Sequence, residues 1–465
     1  MQDALYRAMQ GLVAELESRF PYAAALLSGQ SGVQITDTGR EQQANEVPPE
    51  RGIVFTVYDG RSFLEYATGT LMPDALAREV RAWAAEVRPR SGGPAITGAG
   101  YATIAGNGWR RFSTTTTSGR DPATVPLSEK LALVRDLGAR GRALDQRVVQ
   151  VRAQYSDTSE QRVYVGRGRL LEQHVTRMSM TVLIAVSDGQ QARYHFALRG
   201  GTGGYELAEI PPDELAQTAE VALRLLSAER ITPGEYDVVT DPTVSGVIAH
   251  ECFGHGVELD LFPKGRALAA HYLNRQVAAP TVQMYDDPGV AGGYGSYFFD
   301  DEGELARPTQ ILRDGVLVRP ISDFSSATFA PGIHTANGRR QDYTRKVYAR
   351  MSNTFFAPGT SEVAEMIGGI ERGIYLRMAE SGMEDPAGWG IQVTAHYGEE
   401  IINGARTGRL FSPIGITGYV PDLLQSISAI GRDFALTPGT CGKGHKEMVP
   451  VASGGPHLRM KARLG

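Results

Sequence analysis

Residues 250–260 read HECFGHGVELD, and the way this run folds decides what the rest of the chain is built around. A His-Glu pair followed by a second histidine lets a helix turn two imidazoles towards one metal ion and keep a carboxylate beside them. The usual spacing for that task is H-E-x-x-H, with the histidines four apart. Here His250 and His255 are five apart. At about 100° per residue, five steps leave the second ring about 140° round the axis from the first, so a regular α-helix cannot aim both at one ion. The surrounding residues offer a way out. Asp241 is a good capping residue and Pro242 suits a first turn, so a helix starts there. Val244, Val247, Ile248 and Cys252 give it an apolar face. Gly254 sits just before the second histidine, where glycine lets a helix end or change pitch at low steric cost. A wide turn of the π type absorbs one extra residue. The expectation is a helix that breaks or widens near Phe253-Gly254.

The chemistry follows from residue type. Neutral imidazoles are good zinc ligands, and Glu251, next to one of them, is placed to take a proton from a metal-activated water. A catalytic site of this kind has three protein ligands and one open position. Two histidines leave a third ligand to find. Cys252, Glu258 and Asp260 are near in sequence; Cys441, His445, His396 and His334 are distant alternatives. Cys441 lies in PGTCGKGHKEMVPV (438–451), a glycine-flanked stretch that reads as a flexible loop. Without a metal, the same run is a short helix with a core cysteine at 252 and a solvated Glu251.

Outward from the motif, the 465 residues suffice for two or three domains, with 42% hydrophobic and 21% charged residues. The net charge of −5 and sequence pI of about 6.0 give no basis for a nucleic-acid partner or an anionic membrane surface. No apolar run is long enough to span a bilayer, and MQDALYRAMQGLVAELESRF lacks the basic start and compact apolar core of a signal peptide. Two cysteines exclude a disulfide framework and fit a reducing cytoplasm.

Leu5, Ala8, Met9, Leu12, Val13 and Leu16 follow helical spacing. Residues 52–69 form a hairpin candidate turning at Asp59-Gly60, and 73–87 an amphipathic helix. Residues 88–125, with TTTTSG at 114–119, read as an irregular connection. A helix over 126–144 precedes a β-patterned stretch, 148–207, that turns at Asp188-Gly189. A strong helix over 211–230 and the strand EYDVVTD lead into the motif helix; SEVAEMIGGIERG (361–373) is a further helix. The glycine clusters GGTGG (200–204) and GGYG (292–295) lack the helix and Lys-Ser/Thr of a phosphate loop, and mark bends or close backbone approach.

HECFGHGVELD resembles the signature of the TldD/PmbA metallopeptidase family, in which the histidines lie in an H-E-x-x-G-H-G-x-E-x-D frame. The likeness continues in YFFDDEGELARPTQILRDGVL (297–317), in TANGRR (335–340), where this chain has Ala336-Asn337-Gly338, and in GTCGKGHKEMVPVASGGPHLRM (439–460), where His445 stands at a usual glutamine. The resemblance implies Zn²⁺ held by His250, His255 and Cys441, one ion per active subunit, with Glu251 as the catalytic base. It also implies an α+β chain of two domains that pairs as a homodimer or with a related subunit, acting on unfolded or small peptides.

The sequence reading is therefore an α+β chain with an N-terminal domain, 1–230, built on an antiparallel sheet, and a mostly-β C-terminal domain, 231–465, carrying the metal-site helix. Asp260 is a candidate for orienting a ligand histidine. Lys443 and His445 are candidates for holding substrate. Asp300, Asp301 and Glu302 form an acidic cluster of the kind that holds a hard metal, but the favoured reading is a solvated turn before Gly303. Recruitment of the same site to natural-product biosynthesis, and a non-catalytic partner role, are the alternatives; the intact Glu251 argues against the second.

Overall fold

The computed structural model describes residues 2–94, 96, 110–330 and 332–465, except the side chains of Pro48, Pro49 and Cys252. Most of the 88–109 part of the expected irregular connection lies outside the described residues. The architecture is α+β, as the sequence pattern implies.

The first half is organised on one long sheet. Strands β1 (Tyr22–Asp37), β2 (Gln42–Tyr58), β3 (Phe63–Thr68), β4 (Arg110–Thr115), β5 (Val148–Gly166), β6 (Arg169–Ser187) and β7 (Ala192–Thr202) lie in the order β3-β2-β1-β5-β6-β4. β7 pairs with the distal part of β6. All neighbours are antiparallel except β4, which runs parallel to β6 as a short edge strand. That strand corrects the reading of 88–125 as wholly irregular: its pattern RRFSTT is polar because an edge strand buries little. The hairpins turn at Gly60 and Gly189, both at positive φ, as the Asp-Gly pairs predicted.

Alternation decides the two faces of this sheet. Ala23, Ala25 and Leu27 of β1, with Val163 and Val165 of β5, pack under helices α1 (Gln2–Glu17) and α2 (Pro73–Glu86). Ile35, Val151, Ala153 and Met180 pack under α3 (Leu127–Arg142) and α4 (Pro212–Leu225) on the same face. The opposite face, with Leu26, Tyr164 and Leu171, receives Phe299 and Phe324 from the second half of the chain.

The second half contains two larger sheets. In one, the strands Arg372–Asp385, β8 (Gly234–Thr240), Leu458–Leu464, Ile414–Tyr419 and Gly390–Ile402 pair in turn, and the last pairs back with the first. The sheet is thus closed into a five-stranded ring. The other sheet runs from Val316–Leu317 through Thr309–Arg313, Met284–Asp286, Asn353–Phe356 and Glu447–Gly455 to Ala435–Lys443. The expected helix at 361–373 is shorter, Val363–Gly368, because Arg372 already begins a strand 14 residues long. The motif helix α5 (Pro242–Val247) packs between the two sheets. It approaches so closely that a Cβ on Gly246 would lie 2.5 Å from the Gly454 amide nitrogen.

The glycine clusters act by close approach. A Cβ on Gly201 would lie 2.4 Å from the Gly292 carbonyl oxygen, which accepts from the Thr202 amide. Among the described residues no helix is long and apolar enough to cross a membrane.

Candidate metal centre

The motif starts as the sequence predicts. Asp241 caps α5: Oδ1 accepts from the Thr243 and Val244 amides, both at 3.0 Å, while Oδ2 accepts from the Met378 amide at 3.0 Å. The cap therefore fixes the helix to strand 372–385 as well as starting it. From Ile248 to Gly254 the backbone is a π-helix, followed by a 3₁₀ turn over His255–Val257. The His255 amide donates to the His250 carbonyl. That i→i+5 bond stacks the second histidine over the first, and so resolves the five-residue spacing. The ring centroids are 5.2 Å apart and the planes perpendicular.

The third donor comes from the other sheet. Cys441 lies on strand 435–443, paired with Val449, and not in a flexible loop. Its Sγ is 3.5 Å from His255 Nε2. The ligand atoms of His250, His255 and Cys441 all lie within 4.8 Å of one another. A nitrogen and a sulfur at about 2.1 and 2.3 Å from a tetrahedral zinc are about 3.6 Å apart, which the Cys441–His255 pair matches, and two imidazoles with a thiolate are a donor set that suits zinc. Cys441 and His250 are buried, and His250 Nδ1 has no hydrogen-bond partner among the described residues. Burial opposes ionisation of the Cys441 thiol, but the two imidazoles outweigh it and hold its pKa well below the ordinary value. Burial likewise opposes the charged form of His255, but Glu258 and Cys441 raise its pKa well above the ordinary value. The cluster thus favours a thiolate, the ligand form of cysteine. The Cys252 side chain lies outside the described residues.

Glu251 is part-buried on the same turn. Its Cγ packs on Gly382 of strand 372–385, where a Cβ would come within 2.4 Å. Among the described residues no hydrogen bond reaches its carboxylate, whose charge is felt by the nearby Glu384.

The other predicted residues separate. Asp260 does not touch a ligand histidine. Glu258 does, with Oε2 3.4 Å from His255 Nδ1, because it follows His255 by one 3₁₀ turn. Asp260 instead accepts from Lys443 Nζ at 2.7 Å. Lys443 also donates to Glu258 at 2.9 Å and to the Ala349 carbonyl at 3.1 Å. All three ammonium protons are committed, so Lys443 is not free to hold substrate. Burial raises the Glu258 carboxyl, but Lys443 and His255 outweigh it and bring it down to about 2. His445 sits exposed in the hairpin turn between Lys443 and Glu447, away from the metal cluster. Of the more distant ligand candidates, His396 bonds Glu380 and the Tyr194 carbonyl, and His334 lies beside Glu304.

Sequence reasoning missed residues that arrive from far along the chain. Arg350 is fully buried and donates to the carbonyls of Cys441 (2.5 Å) and Glu447 (3.2 Å), fixing the hairpin that carries the thiol. Glu384 sits against Gly256, and burial pushes its carboxyl up to about 9 although His255 and the Gly256 amide pull it down. No local pattern marks either one.

The Asp300-Asp301-Glu302 segment is not a solvated turn. Asp300 is buried and accepts the amides of Glu302, Glu304 and Gly338. Asp301 accepts from Arg162 of β5 and from the Arg340 amide. The FDDEG and TANGRR motifs therefore hold each other, and the first sheet, in place.

Residues 233–463 match the family model of the PmbA/TldA metallopeptidase C-terminal domain, and residues 120–228 match that of its central domain. A metalloprotease of Methanothermobacter thermautotrophicus is 34% identical over 347 residues, 74% of this chain and 75% of that one. A zinc metalloprotease TldD homolog of Saccharolobus solfataricus is 26% identical over 309 residues, 66% and 69% of the two chains. In fold, the chain is similar to TldE from Thermococcus kodakarensis, with a TM-score of 0.69 at 15% identity over 98% of this chain and 99% of the other. A solved structure of a Thermotoga maritima protein gives a TM-score of 0.79 at 18% identity over the full length of both. With two family models covering most of the chain and a relative at that identity sharing three quarters of its length, the chain belongs to the TldD/PmbA metallopeptidase family.

Proposed function

We propose that this chain is a zinc-dependent peptidase that hydrolyses unfolded or small peptides, with His250, His255 and Cys441 as ligands and Glu251 as the general base. The observation that carries the reading is the convergence of those three donors, from a π-helix and a separate strand, beside a carboxylate without a protein partner. Zinc, when bound, supplies Lewis acidity and lowers the pKa of water towards neutrality. Glu251 takes the proton from the attacking water and later passes it to the leaving amine. Glu258 orients His255 through Nδ1, and Lys443 keeps Glu258 ionised at that position. Arg350 holds the Cys441 backbone so that the thiolate meets the histidines.

Metal analysis combined with product mass spectrometry on unstructured peptides tests this. About one zinc per chain is expected, with fragments from the intact protein and none from Glu251→Gln, which should still bind zinc. Fragments from both proteins would remove Glu251 from the reaction. On this reading the chain works in the cytoplasm and pairs with a second copy or a related subunit; sedimentation of the purified chain alone, and mixed with such a subunit, separates the two pairings.

A further inference from the structure

Strand 372–385 carries an irregularity two residues before Gly382. Ala379 opposes Ala395 and Ser381 opposes Thr394, so Glu380 is an extra residue, a β-bulge, in the ladder with strand 390–402. Beyond the bulge Gly382 opposes the buried Val393 and lies under Glu251. Had the register continued without the extra residue, Ser381 would oppose Val393 and Gly382 would turn to the other face. A side chain would then stand under Glu251, where even a Cβ comes within 2.4 Å of Glu251 Cγ. The bulge thus puts a glycine where the motif turn admits nothing larger.

Two sets of hydrogen bonds hold the bulge. Upstream, the Met378 amide donates to Asp241 Oδ2 and the Ala379 amide to Thr243 Oγ1 at 2.9 Å, which ties the chain to the start of α5. Glu380 itself is tied to the first sheet. Its Oε1 accepts from Tyr194 Oη of β7 at 2.6 Å and lies 2.7 Å from His396 Nδ1. His396 Nε2 lies 2.8 Å from the Tyr194 carbonyl oxygen. A carbonyl only accepts, so Nε2 donates to it. The His396 hydrogen bond, joined by that from Tyr194, holds the Glu380 carboxyl below the usual carboxylate range although partial burial opposes it, so Nδ1 faces an acceptor as well. Both bonds are complete when the ring carries two protons, and the contact with Glu380 is then charge-assisted. The His396 ring is buried and stacks on His195 of β7, centroids 5.2 Å apart, so packing also fixes its direction.

We propose that Glu380, held by Tyr194 and His396, is a positioning residue for the reaction: it fixes the bulge that sets Gly382 under Glu251, and so couples the docking of β7 to the seating of that carboxylate. This rests on the peptidase reading above.

The test pairs steady-state cleavage of an unstructured peptide with hydrogen exchange over residues 381–385, both on the zinc-loaded full chain. Glu380→Ala should lower kcat on the order of 10-fold with KM within about twofold, because it displaces Glu251 and not the substrate. Zinc content should be unchanged and exchange over 381–385 faster. Glu380→Gln, whose carbonyl still accepts from Tyr194 and His396, should recover kcat to within about threefold of the unaltered protein. Added to Gly382→Ala, Glu380→Ala should cause little further loss, because the seat under Glu251 is already lost. Unchanged kcat, a rise in KM alone, no recovery with glutamine, or additive losses with Gly382→Ala would overturn the clamp. If the unaltered protein cleaves no peptide, the peptidase reading fails and the exchange arm judges the clamp alone. Unchanged exchange in Glu380→Ala then overturns it, and faster exchange that Glu380→Gln reverses upholds it.

Discussion

Replacing Gly382 by alanine should disable the site while leaving the metal in place. The added Cβ would lie 2.4 Å from Glu251 Cγ and 2.7 Å from Val247 Cγ1, whereas ordinary contact begins at 3.4 Å. Glu251, or the π-helix carrying it, must therefore retreat by about 1 Å. The obstructing atoms lie close to the backbone of α5 and its π-helical extension, so rotation of a side-chain tip cannot relieve the overlap. A 1 Å misplacement of a catalytic group costs on the order of 100-fold in rate. Overpacking of this kind costs about 1–3 kcal/mol in stability, which a chain of this size tolerates. The expected result is kcat reduced on the order of 100-fold, zinc stoichiometry unchanged, and a melting temperature lowered by several degrees. The assay is steady-state cleavage of an unstructured peptide, with zinc measured on the same sample. A Gly382→Ala protein with full kcat would show that Glu251 does not act from the position over Gly382. A protein that loses zinc and activity together would show that the substitution works through the ligands instead.

Lys443→Met should leave the buried Glu258 and Asp260 carboxylates uncompensated, at a cost of about 3–5 kcal/mol, and weaken zinc binding roughly 10- to 100-fold. Adding Glu258→Gln should restore part of the stability in denaturant titrations but none of the zinc affinity, and additive losses would refute the coupling. Cys441→Ala should reduce zinc affinity by more than 100-fold in chelator competition; an unchanged affinity would exclude the thiolate as a ligand. Acid should destabilise the fold through its buried neutral histidines, since burial first, and neighbouring cations second, bring His195 and His334 down to about 3 from 6.5. Below pH 6.5 the unfolded chain takes up protons that the folded one refuses, so each histidine withdraws about 1.5–2 kcal/mol between pH 6.5 and 5. His334→Asn should flatten that part of the stability curve, and a parallel curve would show that the ring is protonated in the fold.

Much of this was legible in the chain itself. Helical spacing in residues 5–16, Asp-Gly pairs between alternating runs, and Asp241-Pro242 ahead of an apolar stripe each state their structure locally, because the relevant hydrogen bonds and dihedrals involve neighbours. The five-residue histidine spacing and Gly254 together predicted a helix that breaks or widens there, and the structure chose the wide turn. Local chemistry alone left the third ligand open, with Cys441 one candidate among several. It also placed the orienting carboxylate at Asp260, when one 3₁₀ turn sets Glu258 against His255 and leaves Asp260 to Lys443. What no local pattern carried is everything decided by strands meeting across long separations. Cys441 reaches the histidines only because strand 435–443 forms the edge of one sheet beside α5. Gly382 and Glu384 reach the site only because strand 372–385 closes the other into a ring. Sequence determines which residues can bind, cap and turn; the pairing of distant strands decides which of them share a space, since that depends on which apolar faces must be buried together and not on any residue's own neighbours.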